Sequence, residues 1–134
     1  MVLVAEVVTD ASCSAGFTER ARRGGFGRYI TEDDIQKRQP FVVTDVLRTT
    51  PGLTVVPNGA LGYTVTGRGG CQPDLFLDGT RVLDGTSQID QLVRPSDVGG
   101  IEVYPNGAGA PPQLQGTGGS SCGVVAIWTR RGRR

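Results

Sequence analysis

The sequence predicts an α+β domain: a small mixed β-sheet with short helices and β-hairpins. Three observations carry this expectation. The 134 residues include 21 glycines and 8 prolines, which punctuate apolar runs and argue for turns and hairpins over a helical bundle or a disordered tract. Aromatic residues make up only 6%, so the core must rest on Val, Leu and Ile. The segments follow the order strand, two short helices, hairpins, a short helix and strands, which suits a largely antiparallel or mixed sheet. The length is that of one domain with one modest core.

The elements follow in order. Val2 to Thr9 is rich in β-branched residues and reads as an extended strand. It is too short for a membrane span and carries Glu6, so it is not an ordinary signal peptide; an exported protein would have lost its signal from this chain. A polar stretch with Cys13 and an Arg/Gly segment follow, so residues 1–25 read as an N-terminal strand and linker and 26–134 as the domain. Thr31 is placed to cap a helix, with Asp34 at the third helical position and Glu32 and Asp33 in the first turn, where the helix dipole favours acids. That helix ends before Pro40. Thr44 is expected to cap a second helix to about Thr49, which Pro51-Gly52 stops before a β-branched strand. Tyr63 to Thr66 reads as the next strand. DLFLDGTRVLDG then gives two strands joined by Asp78-Gly79, a strong hairpin signal. A short helix near Gln88 to Val93, a single turn opened by Pro95 and the strands GIEVYP and CGVVAIWTR complete the domain. Between those strands lies a Gly/Pro-rich loop, long enough to be functional or tied down.

Several function classes lose support at this stage. The chain has no histidine, which removes Ser-His-Asp triads, Cys-His pairs and the usual near-neutral general base, and no convincing nucleophile–base pair remains. No catalytic, cofactor-binding or metal-binding residue is assigned. Asp78-Gly79 and Asp84-Gly85 are ordinary turn dipeptides, and calcium-loop spacing is absent. Arg22 to Tyr29 (RRGGFGRY) resembles an RNA-binding signature in composition, but Arg28 breaks the aromatic pattern and the stretch runs into a capped helix; Phe26 and Tyr29 are expected to pack on the domain. GRGG and GTGGSSCG lack the Gly-Lys-Ser/Thr ending of a phosphate loop. The net charge of +1 gives no general pull toward nucleic acid, although the arginine clusters are suited to an acidic partner surface.

The three cysteines are more informative. Cys71 and Cys122 each sit in a glycine-rich loop beside an expected strand, and a bridge between them would tie the long loop to the hairpin region. Two reduced, buried thiols are the alternative. Cys13 is the odd one, free or intermolecular.

From about Gly27 to Arg130 the sequence resembles the plug domain of TonB-dependent outer-membrane receptors. The resemblance rests on an ordered series: YITEDDI, VTDVLRTTPGLTV, VTGRGG, DLFLDG, SDVGGIEVY and CGVVAIWTRR. Each piece is short, and the order makes the series specific. AEVVTDAS, near the start, looks like the energy-coupling box that precedes such plugs. The resemblance implies a non-enzymatic stopper that fills a β-barrel, contributes loops to substrate binding and lends a strand to TonB. By that resemblance Glu6, Val7, Val8 and Thr9 are the expected TonB-contacting strand. Arg68, Gly69, Gln72, Asn106 and Gln113, in the loops Gly67 to Pro73 and Asn106 to Ser121, are expected to meet ligand or barrel wall. The expected setting is the bacterial cell envelope: outer membrane, periplasm or extracellular space.

Three departures from the family pattern stand out. PNGAGAPPQLQG replaces the usual segment after the SDVGGIEVY strand, and Cys122 stands where a glycine is usual, consistent with a bridge to Cys71. The sequence also stops at Arg134 without barrel strands, so the expectation is either a piece of a receptor or a standalone plug-like protein. The rival expectation is an extracytoplasmic structural subunit that self-assembles, its N-terminal strand pairing with a neighbour's sheet edge and Cys13 cross-linking chains.

Overall fold

The computed structural model describes residues 16–25, 27–59, 62–106, 109–114 and 122–130. The strand expected over Val2 to Thr9, together with Cys13 and Phe26, lies outside them.

The first described residues, 16–23, are helical (α1), where the sequence had suggested linker. Strand β1 (Arg28–Thr31) then leads directly into α2 (Glu32–Arg38). The start of α2 is a reciprocal cap: the Asp34 amide donates to Thr31 Oγ1 at 3.1 Å, and the Thr31 amide donates to Asp34 Oδ2 at 3.0 Å. The next helix, α3 (Val43–Leu47), departs from expectation in its cap. Thr44 lies inside the helix and is buried; its amide and hydroxyl both donate to the carboxylate of Asp90, at 3.0 and 2.7 Å. Asp45 does the capping instead, accepting from the amides of Phe41 and Val42.

Strands β2 (Thr54–Pro57) and β3 (Tyr63–Thr66) form a separate two-stranded antiparallel sheet. Strands β4 (Asp74–Leu77) and β5 (Thr80–Val82) make the expected hairpin, and both turn residues, Asp78 and Gly79, have positive φ, as a tight two-residue hairpin requires. Helix α4 (Ile89–Leu92) and a turn at Pro95–Asp97 lead to β6 (Val98–Tyr104), which begins two residues earlier than the sequence suggested, and β7 (Val124–Thr129) follows.

The main sheet has the order β1-β6-β7-β4-β5. Only the β4–β7 pairing is parallel; the sheet is therefore mixed. Both faces are covered, as the complete burial of β6 requires. On one face Ile30, Ile101, Val103, Val125, Ile127 and Leu75 pack against α2, α3, α4 and the β2–β3 sheet, through residues such as Ile35, Leu47, Ile89 and Val65. On the other, Phe76, Tyr104, Val124, Ala126 and Trp128 meet Phe17 of α1 together with Ala110 and Leu114 from the long loop. That loop is thus tied down: Leu114, in the turn Pro112–Leu114, is fully buried.

Candidate functional site

The two ends of the main sheet carry different chemistry. Asp74 and Tyr104 both pair with Val124, so β6 ends where β4 and β7 begin. At this end Cys71 and Cys122 are joined by a disulfide, with Cα atoms 5.9 Å apart. The bridge links a residue that follows β3 to one that leads into β7. Gly67 lies tight against it: a Cβ there would sit 2.6 Å from the Cys122 carbonyl oxygen. Of the expected loop residues, Arg68 and Gly69 are exposed in the turn Arg68–Gly70 at this end, and Gln72 is exposed beside Cys71, its side chain accepting from Thr86 Oγ1 at 3.4 Å. Asn106, just past β6, is also exposed, and its carbonyl accepts from the Gly109 amide. Gln113 is exposed in the turn that presents Leu114 to the core. The expected TonB-contacting residues Glu6 to Thr9 lie outside the described residues.

Helix α1 packs along β6. Phe17 lies over Gly100, whose missing Cβ leaves the space its ring occupies: a Cβ there would sit 2.6 Å from that ring. Arg20 meets Glu102, two residues further along β6. From Phe17 to Arg20 the helix therefore runs alongside β6 toward the disulfide end.

The sequence reading missed the cluster that holds this helix. Glu102 is 0% exposed, and its carboxylate accepts four hydrogen bonds. Arg20 spans both oxygens, Nε to Oε1 at 2.8 Å and Nη2 to Oε2 at 2.6 Å; Tyr104 Oη donates to Oε1 and Trp128 Nε1 to Oε2, each at 2.6 Å. A buried carboxylate is costly unless paired and fully hydrogen-bonded, and this one meets both conditions. The hydrogen bond that Arg20 donates to Glu102 raises Arg20 further above its ordinary range, so the guanidinium keeps its charge. Burial, then the bond to Glu102, pushes the Tyr104 phenol well above its usual range, so Tyr104 remains a donor. Tyr29 completes the surround, with its ring edge-on to both Phe17 and Tyr104. Strand alternation does put Glu102 on the face opposite Ile101 and Val103; its burial follows only once α1 is known to cover that face.

Among the described residues, no three metal-ligating side chains converge, and every buried side-chain nitrogen or oxygen has a hydrogen-bond partner. Among the described residues, the arrangement positions exposed loops at one end of a filled interior.

Comparison with known proteins agrees with this architecture. The ferric enterobactin receptor PfeA of Pseudomonas aeruginosa superposes with a TM-score of 0.62 at 24% identity, over 85% of this chain and 18% of the receptor. The siderophore receptor PirA of the same organism gives 0.54 at 28% identity, over 81% and 19%. PirA of Acinetobacter baumannii gives 0.62 at 22%, over 84% and 18%. The chain thus spans under a fifth of the length of these receptors. No match to the sequence is found among curated proteins. Residues 28–120 match the family described as TonB-dependent Receptor Plug Domain, a span that takes in most of the chain. By that match and by its mixed sheet, short helices and hairpins, the chain belongs to the plug-domain family of TonB-dependent receptors.

Proposed function

We infer that this chain is a non-enzymatic plug that occludes the lumen of an outer-membrane β-barrel and couples ligand uptake to TonB. The observation that carries the reading is the polarity of the domain. The loops holding Arg68, Gly69, Gln72 and Asn106 gather at the disulfide end of the sheet, and α1 runs toward that end, with Phe17 at Gly100 farther from it than Arg20 at Glu102. A plug facing ligand on one side and an energy-transducing partner on the other needs such polarity. In this reading Arg68, Gly69, Gln72, Asn106 and Gln113 meet ligand or barrel wall. Glu6, Val7, Val8 and Thr9 are lent to TonB as an added strand, with backbone hydrogen bonds supplying affinity and side chains supplying selection. The names of PfeA and PirA point to a ferric siderophore as the ligand class. The Cys71–Cys122 bridge suits an oxidising compartment such as the periplasm or the outer membrane.

Binding to the C-terminal fragment of TonB, measured calorimetrically, tests the partner assignment. Deleting Val2 to Thr9 is expected to abolish binding; unchanged affinity would remove these residues from the interface.

A further inference from the structure

We propose that the groove between the C-terminal end of α2 and the turn at Pro95–Asp97 is a docking site for an acidic, apolar peptide segment of a partner protein. Arg94 and Arg130 take its carboxylates, and Phe41 takes its apolar side chains. The site lies at the end of the sheet where Thr129 pairs with Val98, opposite the disulfide. None of its residues is among those assigned above to ligand, barrel wall or TonB, so the proposal is tested separately from that assignment.

Phe41 is the first indication. It is 94% exposed, although Val43, Val46 and Leu47 just beyond it are all buried. A single exposed apolar residue is ordinary, but this one forms the wall of a groove of about 560 Å³ together with Ile35, Pro40 and Pro95. Its position is also fixed. Gln39 ends α2 with a positive φ of 48° and its amide on the Ile35 carbonyl, and Pro40 restricts the next φ. The Phe41 amide then donates to Asp45 Oδ2 at 3.1 Å. The backbone thus holds the ring out in solvent, where it adds nothing to the core.

Charge is the second indication. Arg94 and Arg130 line the same groove, and among the described residues no carboxylate lines it. Arg94 is exposed and makes no ion pair among the described residues. Arg130 meets Glu32 at 3.0 Å, with the two side chains 48% and 29% exposed; so wet a pair is weak and leaves the guanidinium with donors to spare. One turn holds both cations. The Asp97 amide donates to the Arg94 carbonyl at 2.9 Å, and the Arg130 amide donates to the Asp97 carbonyl at 2.8 Å. Their backbones are therefore set before anything binds, which lowers the ordering cost of binding.

The two patterns together select the occupant. Guanidiniums fork onto carboxylates, and a wall of Phe and Pro covers apolar side chains, so the match is a chain that carries both. A second hollow, bounded by Leu92 and Val93, shares Arg130 and gives an extended segment room to continue. Two arginines bordered by Glu32 and Asp97 make a poor track for a nucleic-acid backbone, which asks for a continuous basic stripe.

Fluorescence anisotropy on the full chain tests the site, with a labelled peptide alternating Glu and Leu as the probe. Saturable binding that weakens with added salt is expected, and amide shifts on titration should centre on Gln36, Phe41, Arg94 and Ser96. Arg94→Glu is expected to weaken binding about tenfold and Phe41→Ser about fivefold. Both side chains are exposed, so both variants should keep the parent's circular dichroism and unfolding midpoint. The same peptide with Lys for Glu, or with Ser for Leu, is expected to bind about tenfold more weakly than the probe. Absence of saturable binding at millimolar peptide would overturn the proposal. Affinity unchanged in both variants would do the same by moving the contact to another surface, as would tighter binding of a single-stranded oligonucleotide than of the peptide.

Discussion

The two faces of the main sheet are closed by different means. On one, Ile101, Val103, Val125 and Ile127 meet three short helices and a two-stranded sheet through aliphatic contact. On the other, Tyr104 and Trp128 turn their polar atoms inward onto Glu102, and among the described residues the cover is α1 together with loop residues Ala110 and Leu114. The aliphatic face is non-directional: many side chains contribute, and each contributes in proportion to the area it buries. The Glu102 face is directional. Its geometry accepts one guanidinium in one place, so it specifies where α1 docks more than it adds to stability. The difference teaches that a domain of this size can close one face of a sheet by buried area and the other by directed bonds.

The Cys71–Cys122 bridge joins the two covers, because Cys71 follows the β3 strand of the aliphatic side and Cys122 follows the loop that supplies Leu114 to the other. Breaking it is the strongest test of whether the faces depend on each other. Closing a loop of 51 residues stabilises a chain by about 4 kcal/mol in the chain-entropy account. The Cys71→Ser, Cys122→Ser double variant is therefore expected to lose about that much in denaturant unfolding. Far-UV circular dichroism and Trp128 fluorescence should shift together; separate shifts would mean that the covers are independent units.

Single side chains sharpen the contrast. Leu47 is fully buried on the aliphatic face, and Leu47→Ala is expected to cost roughly 3 kcal/mol globally while leaving the relative protection of α1 and the strands as it was. Tyr104→Phe removes one donor from a buried carboxylate and is expected to cost about 2 kcal/mol. The two also differ in pH dependence. The folded protein raises the Tyr104 phenol above its ordinary value of 10.0, so the stability this group confers is fully present below that pH and is lost as pH rises beyond it. Alkaline titration of stability should show the fall in the parent and in Leu47→Ala. A comparable fall in Tyr104→Phe would assign it to another group.

The same division governs what the sequence could reveal. Elements set by local chemistry are legible: the Thr31 cap, the Asp78-Gly79 turn and the strand Tyr63–Thr66 each follow from a few adjacent residues. Elements set by tertiary contact are not. Thr44 looks like a helix cap because its type suits one, but its hydroxyl is taken by Asp90, 46 residues away, and Asp45 caps in its place. Within residues 16–23, helix α1 carries one buried apolar residue in an Arg/Gly-rich setting, too little periodicity to be read as amphipathic. Its partner lies 82 residues away. The pairing of Cys71 with Cys122 was one of two options at the level of sequence, and it took the strand order to bring both to one end of the sheet. The plug resemblance, by contrast, was legible because it lies in the order of short motifs and not in any single contact.

The smallest expected effect tests whether α2, which covers the aliphatic face and also borders the cleft beside α1, belongs wholly to the aliphatic cover. Its cap depends on Asp34, whose carboxyl is held below its ordinary value of 3.8, first by the Thr31 amide that donates to it. A depressed carboxylate contributes stability that is present above the unfolded value and is lost as pH falls through the folded one, so the cap should weaken below about pH 4. Thr31→Ala is expected to cost about 1 kcal/mol at neutral pH. Asp34→Asn should flatten part of the acid limb of the stability curve. If either variant selectively accelerated exchange in residues 16–24, α2 would belong to the Glu102 cover as well, and the boundary between the two covers would have to be redrawn at Thr31.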